Sequence, residues 1–300
     1  MSDQLLSVVI PAYNEQDVIA DCLERLIAQI DDIGEIVVVD NNSTDRTAQI
    51  VRKLQSECSK VQIVEESAPG LIPARNAGID AAKFDVIARV DADTLVEPGW
   101  AAAVTQYFRH APSEVAAGTG PVTPFDSTPL YRRLFERAQT REVAQRMAVS
   151  DDPRGAVGVA SLRGPNMALR REAWVAVRNS LSTRPDIYED LDLSLCIREA
   201  GLKMACIVGM SAKVSGRRFV TGPLSFWKYT GYLRTTYLVH GDRKSARESR
   251  IAIWANRLMY LAFWLPNRAY DHETRRSSLR NVFAKRKDLP VPTSADRQPE

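Results

Sequence analysis

Two carboxylates in Asp-x-Asp spacing, Asp91 and Asp93, stand directly after an apolar run over residues 84–90. In open α/β sheets the ligand crevice lies outside the carboxyl ends of the strands, so acids delivered there can hold a hydrated divalent cation without disturbing the core. The same spacing also fits a solvated turn or a helix cap. Asp40, which ends a β-branched run, and Arg75, early in a helical stretch, fall on the same side, and Glu189, Asp190 and Asp192 gather at a helix start farther along. Acids at a helix start oppose the helix dipole, and that structural role stands beside any chemical one.

The elements that must position these residues follow a βαβα rhythm. Residues 6–11, 35–40, 61–64 and 84–90 read as buried strands, rich in Val and Ile and bounded by polar loops. Apolar residues at three- and four-residue spacing predict helices over 17–29, 44–55 and 72–82. Four strands alternating with helices in about ninety residues imply a mostly parallel, twisted central sheet with right-handed crossovers, helices on both faces and a ligand groove at the strand ends. Beyond it, helices are predicted over 99–110, 130–147, 171–177 and 190–200, and strands over 115–122, 167–170 and 203–208. Residues 150–165, with Pro153, Gly155, Gly158 and Gly164, read as irregular.

The chain has 300 residues, of which 45% are hydrophobic, enough for a full core. Its net charge of +3 is unevenly spread. Residues 217–287 hold sixteen Lys or Arg against four Asp or Glu, a local balance of +12 that leaves −9 elsewhere. No zinc-finger or RNP-type aromatic signature accompanies this basic arm, so membrane surface or phosphate is favoured over nucleic acid as its partner. Within the arm, residues 224–239 and 251–265 are helical and rich in aromatic residues; the second is apolar nearly all round and either packs on the domain or meets an anionic lipid surface. The four cysteines lack Cys-x-x-Cys spacing and read as buried thiols. No apolar run approaches the ~20 residues of a membrane span, and the expected location is cytoplasmic, with peripheral attachment at the inner face of the membrane as the arm's second reading.

In order along the chain, Ser7-Val8-Val9-Ile10-Pro11-Ala12-Tyr13-Asn14-Glu15, Val39-Asp40-Asn41-Asn42-Ser43-Thr44-Asp45, Arg75-Asn76-Ala77-Gly78, Asp91-Ala92-Asp93 and Glu189-Asp190-Leu191-Asp192-Leu193 resemble the motifs of family 2 glycosyltransferases with the Rossmann-like GT-A fold. The resemblance covers residues 5–215. It implies a GT-A domain over 1–215; the composition beyond it reads as a basic aromatic helical extension over 216–285 and a disordered tail over 286–300.

Carried over residue by residue, the resemblance implies a nucleotide-diphosphate sugar as donor, uridine-linked by preference. Pro11, Tyr13 and Glu15 match the base and ribose pocket, and Asp40 the acid that accepts from the base imide. Arg75 matches the cation that meets the pyrophosphate, since forked guanidinium donors suit phosphate oxygens. Asp93 matches the direct ligand of Mn2+ or Mg2+, and Asp91 a group touching ribose or the metal shell. Asp190 matches the base that deprotonates the acceptor hydroxyl in a single inverting displacement. Gly164, Pro165 and Asn166 resemble the loop lining the sugar pocket. Arg217 or Arg218 could face the diphosphate or simply begin the basic arm.

Processive synthases of the family carry Gln-x-x-Arg-Trp and membrane spans. Here Ser215-Gly216-Arg217-Arg218 stands in that region, which favours transfer of single sugars to a lipid-linked or glycan acceptor. Two other function classes compete: a non-catalytic nucleotide-binding or membrane-associated scaffold, and a sugar-1-phosphate nucleotidyltransferase. The glycine-rich Gly-x-Gly-x-Arg loop expected of the latter after the first strand is missing.

Overall fold

The computed structural model describes residues 6–283 apart from 272, 273 and 275. The tail expected over 286–300 lies outside them. Strands β1 (Leu6–Ala12), β2 (Ile33–Asp40), β3 (Val61–Glu65) and β4 (Val86–Val90) alternate with helices α1 (Ile19–Ile27), α2 (Thr47–Glu57) and α3 (Leu71–Ala81). They are followed by β5 (Thr94–Val96), α4 (Trp100–His110), β6 (Val115–Thr119), β7 (Val122–Pro124), α5 (Pro129–Met147) and β8 (Gly155–Val157). Then come β9 (Asn166–Arg170), α6 (Arg171–Val177), α7 (Glu189–Glu199), β10 (Lys203–Ile207), β11 (Ala212–Val214), α8 (Pro223–Val239) and α9 (Arg243–Ala269).

The main sheet has eight strands in the order β3-β2-β1-β4-β9-β6-β10-β8. Chain order runs outward from β1 to β3 and then crosses back to β4, so the direction of winding switches between β1 and β4. At such a switch the flanking helices diverge and leave a crevice at the strand ends. Alternation along β1 sorts the core into two layers. Val8 and Ile10 face α1, α2 and α4, whereas Val9 faces α3, α6 and α7. A strand buried on both faces reads as continuously apolar, and Leu6, Val8, Val9 and Ile10 are all fully buried.

The expected mostly parallel central sheet is present: β1 to β4 run parallel, as do β6 and β10, while β9 runs antiparallel to both β4 and β6, and β8 antiparallel to β10. Several local expectations need correction. The run over 115–122 is two strands, broken at Gly120-Pro121, because Gly120 lies against the Met210 carbonyl and has no room for a Cβ. The irregular stretch over 150–165 contains β8. Strands β5 and β11, unforeseen, form a small second sheet with β7, in which β11 is central and pairs with both. Of the four thiols, Cys22, Cys196 and Cys206 are buried and Cys58 is half-buried.

The antiparallel β9 matters for the site. Val90 pairs with Asn166, so the segment that precedes β9 arrives at the edge where β4 leaves. The basic extension packs on the domain. Tyr188 N donates to Thr236 Oγ1 at 2.9 Å, Phe226 of α8 stacks on Tyr260 of α9 with ring centroids 4.0 Å apart, and Tyr131 of α5 meets Phe263 at 5.1 Å.

Candidate active site

Strand β4 ends at Val90, and a tight turn closed by Thr94 N on the Asp91 carbonyl (2.9 Å) turns the chain into β5. The turn leaves Asp91 about one-third exposed and Asp93 nearly buried, with side-chain exposures of 34% and 11%. Each carboxylate is met by a guanidinium: Asp91 Oδ1 by Arg89 Nη2 at 2.7 Å and Asp93 Oδ2 by Arg217 Nε at 2.7 Å. Burial pushes the Asp93 carboxyl up to about 7; Arg217 opposes that rise, while Asp91 and Glu15 add to it. Two carboxylates in Asp-x-Asp spacing at the crevice edge are oxygen donors of the kind that suits a hard divalent ion.

Arg89 is the residue that the sequence reading missed. Its side chain, 1% exposed, reaches Glu189 Oε1 with Nη1 at 2.6 Å as well as Asp91. Burial works against its charge, but Asp91 and Glu189 outweigh it and raise the guanidinium above its ordinary value. Glu189 is likewise held below the usual carboxylate range: burial opposes this, and Arg89 and Arg75 supply the stabilising charge. One buried cation therefore links the end of β4 to the first turn of α7.

Asp190, beside Glu189, behaves in the opposite way. Burial, and next the charge of Glu189, push its carboxyl up to about 6. Its Oδ2 accepts from Gly164 N at 3.0 Å and its Oδ1 from Leu191 N at 2.8 Å. A Cβ on residue 164 would stand 3.4 Å from Asp190 Oδ2 and 3.3 Å from Arg89 Nη1, so the loop lies close against both side chains. A half-buried carboxylate whose value is raised to about 6 at a crevice edge is suited to accepting a proton.

The loops after β1 and β2 are built as a unit. Asn41, 1% exposed, donates to the Glu66 and Ala68 carbonyls and accepts from Gly70 N. Asn14 and Asn42 adopt φ of 55° and 61°, a region that asparagine tolerates better than most residues. Asn14 Oδ1 accepts from Thr44 N, and Glu15 N donates to Thr47 Oγ1, so the two loops fasten each other. Pro11 is buried and pairs with Val39; Tyr13 and Glu15 follow it, half-buried. Asp40, at the end of β2, has a buried Oδ1 without a partner among the described residues. An orphaned buried acceptor beside a strand-end crevice fits a ligand N–H donor.

Three residues expected in the donor site have unexpected surroundings. Arg75 is fully buried, donates to the Glu189 carbonyl from Nη1 at 3.0 Å and to Asn76 Oδ1, and is pushed down to about 10 by burial. Asn166 is fully buried too; its amide accepts from Trp100 Nε1 and donates to the Met210 and Pro121 carbonyls. Arg218 lies over the Tyr229 ring at 4.1 Å. Arg217, by contrast, is in the crevice and clasps Glu15 with Nη1 and Nη2 at 2.7 and 2.6 Å.

The chain is similar to known proteins in part of its sequence and in its fold. In a region of 116 residues the chain is 30% identical to the glycosyltransferase GlyG of Streptococcus pneumoniae, covering 38% of each chain. Over 100 residues it is 40% identical to the undecaprenyl-phosphate 4-deoxy-4-formamido-L-arabinose transferase of Edwardsiella ictaluri, covering 32% of this chain and 31% of the other. The chain thus spans well under half the length of these relatives. Among solved structures, the mannosyltransferase PcManGT of Pyrobaculum calidifontis, in complex with GDP-Man and Mn2+, superposes with a TM-score of 0.60 over 92% of this chain and 77% of its own, at 19% identity. S. aureus TarS 1-349 in complex with UDP-GlcNAc gives 0.53 over 88% and 72%, at 18% identity. These likenesses establish the GT-A fold. Residues 7–174 match the family described as glycosyl transferase family 2, more than half of the chain, and the protein belongs to that family.

Proposed function

We propose that the chain transfers a sugar from a nucleoside-diphosphate sugar, uridine-linked, to an acceptor hydroxyl in a single inverting displacement that depends on a divalent cation. The observation that carries this reading is the meeting of two differently tuned acidic groups, Asp91 with Asp93 and Glu189 with Asp190, across the buried guanidinium of Arg89. The first group suits a cation and a diphosphate. The second supplies a base poised near neutral pH.

Asp40 Oδ1, buried and without a partner among the described residues, accepts from the imide N–H of uracil, and Tyr13 and Glu15 serve base and ribose beside it. Asp93 and Asp91 would hold Mn2+ or Mg2+, which would neutralise the charge growing on the departing diphosphate. Arg217, or Arg218 after leaving its ring contact, faces that diphosphate. Asp190 takes the proton of the attacking hydroxyl as its oxygen closes on the anomeric carbon. Arg75 and Asn166 act from behind: Arg75 fixes the first turn of α7, and Asn166 holds the Gly164-Pro165 loop between α4 and the Met210 segment. Transfer is of single sugars, to a lipid-linked or glycan hydroxyl.

A panel of UDP- and GDP-sugars, screened by thermal shift with and without MnCl2 and then by nucleoside-diphosphate release in the presence of acceptor lipids, tests the reading. A manganese-dependent shift with UDP-sugars and stoichiometric release is expected. Preference for guanosine donors would remove the uridine assignment, and full activity in excess chelator would remove the cation. Failure of every donor to bind would overturn the whole reading.

A further inference from the structure

Helix α9 has two apolar faces and only one of them is used. Ala246, Ser249, Ile253, Tyr260 and Asn267 are buried against the rest of the protein. On the other side Ile251, Trp254, Leu258, Leu261 and Leu265 recur at alternating three- and four-residue spacing and are 79%, 57%, 63%, 54% and 53% exposed. At 1.5 Å per residue this stripe is about 21 Å long. Between residues 251 and 266 the only exposed polar side chain is Asn256. The single charged residue of that window, Arg257, is turned inward: it donates to Thr230 Oγ1 and the Trp227 carbonyl at 3.0 Å each and lies against the Trp227 and Trp254 rings. An exposed apolar strip of this length, from which charge is withdrawn, marks an interaction surface.

Charge at its ends identifies the occupant. Arg243, Lys244, Arg247 and Arg250 are exposed at the amino end, with Glu248 the one acid among them, and Arg276 and Arg280 are exposed beyond the carboxyl end. A second copy laid on the strip in either direction would set basic ends against basic ends. An anionic bilayer surface accepts both the basic ends and the apolar middle. Among the described residues no helix is long and apolar enough to cross a membrane. We propose that α9 lies in the plane of an anionic membrane with this stripe inserted at the headgroup boundary, independently of which sugar or acceptor the active site takes.

Flotation of the full chain with phosphatidylcholine vesicles, with and without phosphatidylglycerol, tests this. Binding should be at least about tenfold stronger on the phosphatidylglycerol vesicles and should fall with salt. Arg247→Gln should weaken it about fivefold. Leu258→Glu with Leu261→Glu, both at exposed positions, should abolish it while the thermal midpoint without lipid stays at the wild-type value. The vesicle-induced blue shift of tryptophan emission should shrink in Trp254→Phe, whose binding persists. Equal binding to neutral vesicles, or undiminished binding of the double variant, overturns the proposal. So does a concentration-dependent dimer that the double variant dissolves and that shows no affinity for vesicles, since the stripe would then belong to a second copy.

Discussion

Arg89 Nη1 lies 2.6 Å from Glu189 Oε1, although 100 positions separate the two residues, and the other terminal nitrogen of the same guanidinium holds Asp91. A fully buried arginine in a central strand is tolerated because two carboxylates surround it. Removing it leaves their charges facing each other in a poorly solvated site. Arg89→Met is therefore expected to lower unfolding free energy by about 3–5 kcal/mol, the cost of breaking a buried pair by deleting one partner. Arg89→Lys, which keeps the charge but cannot reach both acids, should fall between. Urea unfolding midpoints measure both, and a wild-type midpoint for Arg89→Met would show that this link does not hold the fold.

Asp190, the proposed base, must be ionised to accept a proton. With its carboxyl pushed up to about 6, turnover should rise with pH through about 6 and level off above it. Stability linked to the same group runs the other way. A folded-state value raised above the unfolded one favours the protonated fold, so this contribution is largest in acid and is lost as pH rises through about 6. Asp190→Asn should reduce turnover by about 100-fold or more and leave donor KM nearly unchanged. Initial rates from pH 5 to 8 check the limb, and a pH-independent rate in the wild-type enzyme would remove Asp190 from the role.

Arg217 holds Glu15 in a bidentate pair and Asp93 through Nε, standing where the proposed cation would bind. Metal and guanidinium compete for the same oxygens. Arg217→Ala should tighten Mn2+ binding in the absence of nucleotide on the order of tenfold and weaken the nucleotide-sugar complex. Because Arg217 also lowers the Asp93 value, its removal raises that carboxyl further, so the two proteins are compared across a pH series on the alkaline side of about 7 until manganese affinity no longer changes with pH. Titration calorimetry with MnCl2 alone, then with UDP, separates the two effects; unchanged manganese affinity would mean that the pair does not compete.

Much of this site was legible because its acids follow local rules. Asp40, Asp91 and Asp190 each end a strand or begin a helix, and such ends announce themselves through apolar periodicity. Arg89 did not, since one cation inside the run over 84–90 carries no sign of a partner 100 positions away. Nor did the direction of β9, because strand polarity is set by crossovers and by pairing across the sheet, not by alternation within five residues. Three-residue strands such as β5 and β11 are too short for any period to show. Arg75 and Asn166 were placed in the donor pocket by motif position, yet what surrounds them depends on α7, α4 and the Met210 segment, all far along the chain.

Gly78 shows why a motif glycine can serve packing. A Cβ there would overlap Val9 Cγ1 and lie 2.8 Å from Val39 Cγ2, so α3 rests directly on β1 and β2. That close seating carries the helix start, and Arg75 with it, toward the first turn of α7. Gly78→Ala should cost about 1–3 kcal/mol by overpacking. Gly78→Val should prevent folding at 37 °C. Thermal unfolding of the alanine variant checks the first, and a neutral result would place α3 farther from the sheet than the structure does.

His240 closes α8 and faces a carboxylate with each ring nitrogen, Asp192 Oδ1 from Nε2 at 2.9 Å and Glu199 Oε1 from Nδ1 at 2.8 Å. Asp192 is 1% exposed and its other oxygen accepts from Ser182 N, so the imidazole is the partner that keeps this buried acid satisfied. Glu199 is 56% exposed and can turn to water. His240→Ala should therefore cost about 2 kcal/mol, most of it from the stranded Asp192, whereas Glu199→Gln should cost less than about 1 kcal/mol. His240→Gln, which keeps a donor for Asp192, should recover part of the loss. Since the contact joins α8 to the helix carrying Asp190, His240→Ala should also lower turnover, and a variant with wild-type stability would show that this contact does not hold the extension to α7.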